Sequence, residues 1–290
     1  MRAGPMRWRC GIPMSADAGT WVLLRGLARE ARHWGVFPAA LSRVLGEAAV
    51  VTPDLPGNGR RFAQDSATSV AGQLEALRET LRAGNCRPPY SVVALSLGGM
   101  VALEWALRHP QEVSRLVLIN SSVAGLSPFW QRLRWTRYPR LLSLPFRGLA
   151  GRERLILRLS SNRAAQAPSL LSDWIAWQRE CPVSLANVLR QLLAAARFRM
   201  PRHWPQVPGL VLASRADRLV DGSCSEALAE AARWPLIWHE QAGHDLALDD
   251  PDWLANRIGV WVRHTPGCAL AEADAAGISP VLPPAELEPD

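Results

Sequence analysis

The stretch Pro89-Tyr90-Ser91-Val92-Val93-Ala94-Leu95-Ser96-Leu97-Gly98-Gly99-Met100-Val101-Ala102-Leu103-Glu104-Trp105-Ala106-Leu107 decides how the rest of the chain is read. Ser91 to Leu95 reads as a short strand of the kind buried in a parallel sheet. One serine then occupies a corner, and from Leu97 the pattern is helical up to a stop at His109-Pro110. Ala94 lies two residues before the serine and Gly98 two after it, giving small-x-Ser-x-Gly. A strand that turns this sharply into a helix brings both positions against their neighbours, so large side chains would collide. The serine backbone is held in a strained conformation with its hydroxyl above the sheet. Behind it, the helix N-terminus offers free N–H groups and the positive end of the helix dipole.

Working outward, further strands and helices alternate. Thr20 to Leu24 is an apolar run ending in the turn Arg25-Gly26-Leu27-Ala28-Arg29. His33 to Leu45 has the period of a helix with one buried face, through Trp34, Phe37, Leu41, Val44 and Leu45. A strand is expected at Ala49 to Pro53, followed by the loop Asp54-Leu55-Pro56-Gly57-Asn58-Gly59-Arg60. That loop has neither a third glycine at the dinucleotide spacing nor a following Lys-Ser/Thr, so nucleotide binding is a poor reading of it. Ser69 to Ala83 is an amphipathic helix with Gly84 placed as its C-cap, and Val113 to Asn120 is another buried strand. This alternation implies an α/β fold: a mostly parallel sheet with helices on both faces.

From Ser127 to about Met200 the alternation stops, and the chain is helical in pattern and rich in Arg and Trp. Strand runs resume at Pro208 to Ala213 and Leu236 to His239, with a helix between them from Ser225 to Arg233. A last helix starts at Asp250-Pro251, with Asp as N-cap and Pro in the first turn. The expected organisation is a core (1–126), a helical cap (127–200), the second part of the core (201–264) and an acidic, Pro/Ala-rich disordered tail (265–290). Residues 1 to 19 are weakly patterned and are expected to hold at most one or two edge strands.

Composition narrows the chemistry. All 33 basic residues are arginine, so a Schiff-base lysine, a pyridoxal-phosphate anchor and a phosphate-loop lysine are excluded. Residues 127 to 202 carry 14 arginines against three acids, whereas the tail from Thr265 has five acids and no base. Such asymmetry fits nucleic acid, anionic lipid or an acidic protein, and equally a solvated surface encoded with arginine. Five cysteines at Cys10, Cys86, Cys181, Cys224 and Cys268 show no metal-ligand spacing and read as free thiols. No apolar run has the length of a membrane span, and Met1 to Arg9 lacks the apolar stretch of a secretory signal, so a cytoplasmic location is expected.

The serine corner resembles the nucleophile elbow of the α/β-hydrolases, with Ala94 in place of the first glycine. Three further stretches are similar to that family in the same order. The turn at Arg25 stands where the family has His-Gly-x, with Arg25 replacing the histidine. The loop at Asp54 is similar to Asp-x-Pro-Gly-His-Gly, with Asn58 replacing the histidine. Ser214-Arg215-Ala216-Asp217-Arg218-Leu219-Val220 is similar to Gly-x-x-Asp-x-x-Val, and Gly243-His244 lies in the loop after the last strand. The resemblance spans about residues 20 to 264 and implies an α/β-hydrolase fold with a helical cap insertion.

It also implies a serine–acid–histidine triad of Ser96, Asp217 and His244, with an oxyanion hole from the backbone N–H groups of Leu27 and Leu97. Asp221, Asp245, Asp249 and Asp250 compete for the acid position. A hydrolase of this kind needs no metal or organic cofactor. The expected activity is cleavage of a carboxylic ester or thioester of an apolar acyl group. The alternatives are acyl transfer or a cofactor-free perhydrolase reaction on the same triad, and a non-catalytic basic binding module.

The Ser-Leu-Gly-Gly elbow is similar to that of the pimeloyl-carrier-protein methyl ester esterases. The expected partners are therefore a small-molecule ester or thioester and an acidic acyl-carrier protein at the basic cap, with no nucleic acid and no membrane span. Aromatic residues of the cap, Trp130, Trp135, Trp174 and Trp177, are candidates for the roof of the substrate cavity, although an aromatic stripe is more often packing.

Overall fold

The protein is described from a computed structural model covering residues 19–163, 168–200 and 203–265. The expected N-terminal edge strands and disordered tail lie outside these residues. Among the described residues six strands, β1 (Thr20–Leu24), β2 (Val50–Val51), β3 (Tyr90–Leu95), β4 (Val113–Ile119), β5 (Gly209–Ser214) and β6 (Leu236–His239), form one parallel sheet in the order β2-β1-β3-β4-β5-β6. From β1 the chain steps outward to β2, then crosses back to place β3 on the other side of β1. Beyond the carboxyl ends of β1 and β3, where that order reverses, an open α/β sheet leaves a crevice.

Helices cover both faces of the sheet, so its strands are mostly apolar. Alternate side chains serve opposite layers, a consequence of the two-residue strand period. Val92 and Ala94 of β3 join one buried cluster with α2 (Val70–Ala83) and α3 (Leu97–Arg108). Val93 and Leu95 join the other with α1 (Phe37–Val44) and α11 (Pro251–His264), through Phe37, Leu41, Leu254 and Ile258. Each such side chain, when fully buried, stabilises the fold by about 1.5–3 kcal/mol relative to exposure.

Local signals set most helix ends. Ser69 caps α2 by accepting from Gly72 N at 3.1 Å, and Asp250 caps α11 by accepting from Trp253 N at 3.2 Å. Two details differ from expectation. The helix read from His33 to Leu45 is split into a 3-10 turn (Ala31–Trp34) and α1, with Gly35 at φ +56° in the break. At the end of α2 the left-handed residue is Asn85 (φ +57°), while Gly84 has φ −82°. Asparagine tolerates that region, so the glycine one residue earlier is not needed for it.

Between β4 and β5 come, among the described residues, five α-helices: α4 (Phe129–Arg132), α5 (Tyr138–Leu142), α6 (Leu149–Ser160), α7 (Pro168–Glu180) and α8 (Leu185–Arg197). After β5 come α9 (Ser223–Ala232) and, ahead of α11, the one-turn α10 (Leu246–Asp249). Among the described residues no helix is long and apolar enough to cross a membrane.

Candidate active site

Ser96 ends β3 with φ +55° and ψ −118°, a conformation that costs a residue with a Cβ about 1–3 kcal/mol. Its neighbours hold it there. Ser96 N donates to Ile119 O at 2.9 Å, and Ser121 Oγ donates to Ser96 O at 2.8 Å, so both of its backbone polar groups are fastened to the end of β4. The size limits read from the sequence have identifiable causes. A Cβ on Gly98 would lie 2.5 Å from Leu24 O and 2.8 Å from Arg25 O, so only glycine lets α3 approach the end of β1 this closely. Ala94 is fully buried in the sheet's apolar layer, where its methyl group is accommodated.

The turn after β1 lies against this corner. A Cβ on Gly26 would be 3.1 Å from Ser96 Cβ. The Leu97 N–H is the first of α3 and has no intrahelical acceptor. The Leu27 N–H has no hydrogen-bond acceptor among the described residues. The β1 turn, through Gly26, and the first residue of α3 thus flank the Ser96 corner. The turn is held on three sides. Ala28 N donates to Gln191 Oε1 of α8 at 2.8 Å, and Arg25 lies over the Trp34 ring at 4.7 Å. Arg25 also forks onto Asp245, with contacts of 3.1 Å and 2.5 Å between groups that are both buried.

The residue that departs from the family's His-Gly pattern is therefore the one that ties the β1 turn to the loop carrying His244. Removing one member of a buried ion pair strands the other charge, at a cost of about 3–5 kcal/mol, whereas an apolar replacement of both is nearly neutral. In urea denaturation, Arg25→Met is expected to lose about that amount and R25M/D245L to recover most of it. Additive losses would show that the two residues stabilise the fold independently.

Asp217 and His244 meet at the carboxyl ends of β5 and β6. Asp217 Oδ1 accepts from Leu219 N at 2.7 Å and Val220 N at 3.0 Å, which orients the carboxylate. Its Oδ2 lies 2.7 Å from His244 Nδ1, and both side chains are buried. A carboxylate at Nδ1 fixes the proton on that nitrogen and leaves Nε2 as the basic one. Nε2 has no hydrogen-bond partner among the described residues, and no hydrogen bond joins the Ser96 hydroxyl to His244. Burial pushes the His244 pKa down, but the charge and hydrogen bond of Asp217, aided by Asp245 and opposed by Arg25, outweigh it and raise the pKa above 6.5.

The competing carboxylates are each engaged elsewhere. Asp221 pairs with Arg134 at 3.1 Å and accepts from Ser223 Oγ at 2.9 Å. Asp245 holds Arg25. Asp249 accepts from Gly243 N at 2.7 Å and from Ser161 Oγ at 2.5 Å, fastening the His244 loop to the end of α6. Asp250 faces His239 Nε2 at 3.2 Å, a second His–Asp pair, but His239 Nδ1 already accepts from Ala242 N at 2.9 Å. Among these two histidines only His244 keeps a nitrogen unengaged.

One residue with a positioning geometry carries no motif. Asn120, buried and at φ +45°, donates to His244 O at 2.8 Å and Ser214 Oγ at 3.1 Å, and accepts from Ser214 N at 2.8 Å. It joins the ends of β4 and β5 to the His244 loop. The available signal was an asparagine directly after a buried strand, a residue type that enters the left-handed region.

The four cap tryptophans take different places. Trp174 is buried, edge-on to His33 at 4.9 Å and beneath the Arg29 guanidinium at 4.5 Å, while Trp177 packs against His33 at 5.2 Å. Trp130 and Trp135 are exposed. Cap and core are joined by the buried Arg29–Glu153 pair at 2.9 Å, and by Gln191, which donates to Asn58 Oδ1 at 3.0 Å.

Residues 21–257 match the alpha/beta hydrolase family. A Yersinia enterocolitica protein named as a carbamate hydrolase, RutD, is 31% identical over 233 residues, covering 74% of this chain and 77% of the relative. Its namesake in Pseudomonas syringae is 30% identical over 243 residues, covering 81% and 90%. Among solved structures, the enol-lactonase from Burkholderia xenovorans aligns with a TM-score of 0.69 at 18% identity, covering 86% of this chain and 92% of the lactonase, a likeness of fold.

Proposed function

Because the chain belongs to the alpha/beta hydrolase family, we propose that it is a serine hydrolase acting on a carboxylic ester or thioester of an apolar acyl group through Ser96, His244 and Asp217. The observation that carries this reading is the 2.7 Å Asp217–His244 contact, in a pair whose second imidazole nitrogen is unengaged, at the same sheet rim as the strained Ser96 corner. A serine hydroxyl is a weak nucleophile near neutral pH and needs a base.

His244 Nε2 takes the Ser96 proton as Oγ bonds to the substrate carbonyl carbon, and Asp217 stabilises the resulting imidazolium. The carbonyl oxygen, now an oxyanion, receives the N–H groups of Leu27 and Leu97, each contributing about 3 kcal/mol in comparable sites. Collapse returns the proton from His244 to the departing alcohol or thiol and leaves an acyl group on Ser96. Water, deprotonated by His244, then attacks that acyl group. The acid is released and the serine reprotonated.

The RutD relatives' name favours a second substrate class, since a carbamate offers the same carbonyl to the same attack. Acyl thioesters on acidic carriers remain within the proposal because residues 127 to 202, the cap and its exit, carry 14 arginines against three acids. The test is a panel of p-nitrophenyl esters of increasing chain length, an acyl thioester and a p-nitrophenyl carbamate, combined with a fluorophosphonate probe. Turnover of acyl esters with probe adduct on Ser96 supports the reading. Turnover confined to the carbamate replaces the substrate class, and an unlabelled Ser96 sinks the mechanism.

The raised His244 pKa also sets a pH dependence. The base works only when neutral, so kcat/KM for a neutral ester should rise with pH through an apparent pKa above 6.5, the ordinary histidine value. Linked to it, stability contributed by protonated His244 is fully present below the unfolded pKa and lost as pH rises through the folded one. A rate limb at or below the ordinary histidine value would show that His244 is not the titrating base.

A further inference from the structure

The cap carries a cavity of about 530 Å³ that the proposed reaction leaves unused. Five arginines line it: Arg140, Arg147, Arg154, Arg158 and Arg218. Arg154 and Arg158 stand one turn apart on α6, and Gly151, one turn earlier on the same face, leaves room where a side chain would project.

Other arginines are paired: Arg134 with Asp221, Arg215 with Glu240 and Arg29 with Glu153. None of the five around the cavity has a carboxylate within ion-pair distance among the described residues. Glu153, next in sequence to Arg154, is turned into the interior by Arg29. Two of the five are held in place by neutral partners. Arg147 Nε donates to Ser143 Oγ at 2.9 Å, and Arg218 donates to Arg158 O at 2.9 Å.

Like charges gathered around one concavity repel, and their field concentrates anions there. Guanidinium forks match the oxygens of a phosphate in paired hydrogen bonds, and several of them match a group with more than one negative charge. The volume falls in the range of small-molecule sites, about 300–1,000 Å³.

We propose that this cavity is a binding site for a multiply charged phosphate group, carried by a soluble phosphate ester or by a phospholipid headgroup. None of Ser96, Asp217 and His244 lines the site, although Arg218 directly follows Asp217, and its test uses no turnover. Pyrophosphate is titrated calorimetrically into the full-length protein at fixed ionic strength, and sedimentation is measured with phosphatidylcholine vesicles with and without phosphatidic acid. R154S/R158S is compared with R179S/R257S, which removes the same charge from exposed positions elsewhere, with circular dichroism and melting confirming that each variant is folded.

Pyrophosphate binding weakened at least tenfold by R154S/R158S and unchanged by R179S/R257S supports the site with a soluble ligand. Phosphatidic-acid-dependent sedimentation with the same variant pattern supports it with a lipid headgroup. Binding to neither probe, or equal loss in both variants, overturns it, since the latter would reflect only the net charge of the protein.

Discussion

Ser96→Ala is expected to lower kcat for ester hydrolysis by about 10⁵–10⁶-fold, leaving only the rate supplied by substrate binding and the oxyanion donors. Deleting the hydroxyl removes the atom that would carry the acyl group, so no rearrangement of His244 or Asp217 compensates. The melting temperature should hardly move, because the Ser96 side chain makes no hydrogen bond among the described residues. Ser96→Gly separates the two consequences of the corner. Activity disappears in the same way, yet relief of a non-glycine residue at φ +55° should raise stability by about 1 kcal/mol. Both variants should lose fluorophosphonate labelling. A Ser96→Ala protein that retains more than a hundredth of the wild-type kcat would place the nucleophile elsewhere.

Asp217→Asn is expected to lower kcat by about 10⁴-fold with the fold intact, by the tautomer argument. An amide at 2.7 Å from Nδ1 can donate to it, which moves the ring proton to Nε2, the nitrogen needed as base. The same change removes the main charge that raises the His244 pKa, so residual activity should show its acid limb shifted to lower pH. Asp221→Asn is the control. Its partner is Arg134 at 3.1 Å on a half-exposed pair, and kcat should stay within a few-fold of wild type. The reverse pattern, with Asp221→Asn the more damaging, would reassign the acid.

Several elements were legible because their causes are local. Ser69 and Asp250 announce helix starts through their own side-chain hydrogen bonds, and Trp21 to Leu24 of β1 announce burial on both faces by apolar type alone. Edges were less legible. The strand read over 49–53 is reduced to Val50–Val51, since β2 lies at the sheet margin and pairs only with β1. Gly35 interrupts the helix pattern at a positive φ, a break that apolar periodicity does not register.

At the site, the serine corner could be read directly from sequence, because a sharp strand-to-helix turn restricts the size of its immediate neighbours, whereas the order serine–acid–histidine came from the family resemblance. Among the five aspartates the resemblance pointed to Asp217, but which carboxylate meets which partner depends on contacts that local sequence does not carry. The choice follows from which loop reaches which: Asp217 and His244 are 27 residues apart and Arg25 and Asp245 are 220 apart. The arginine-lined cavity belongs to the same class, joining α5, α6 and the loop after β5.

By itself, then, the amino-acid order determined the layers, the corner and the types of residue available for chemistry, since torsion limits and burial act over a few neighbours. Only the folded chain decided the partner of each charge, because a buried or crowded ionic group takes its counter-charge from whatever the sheet brings within a few ångströms, however distant along the polypeptide.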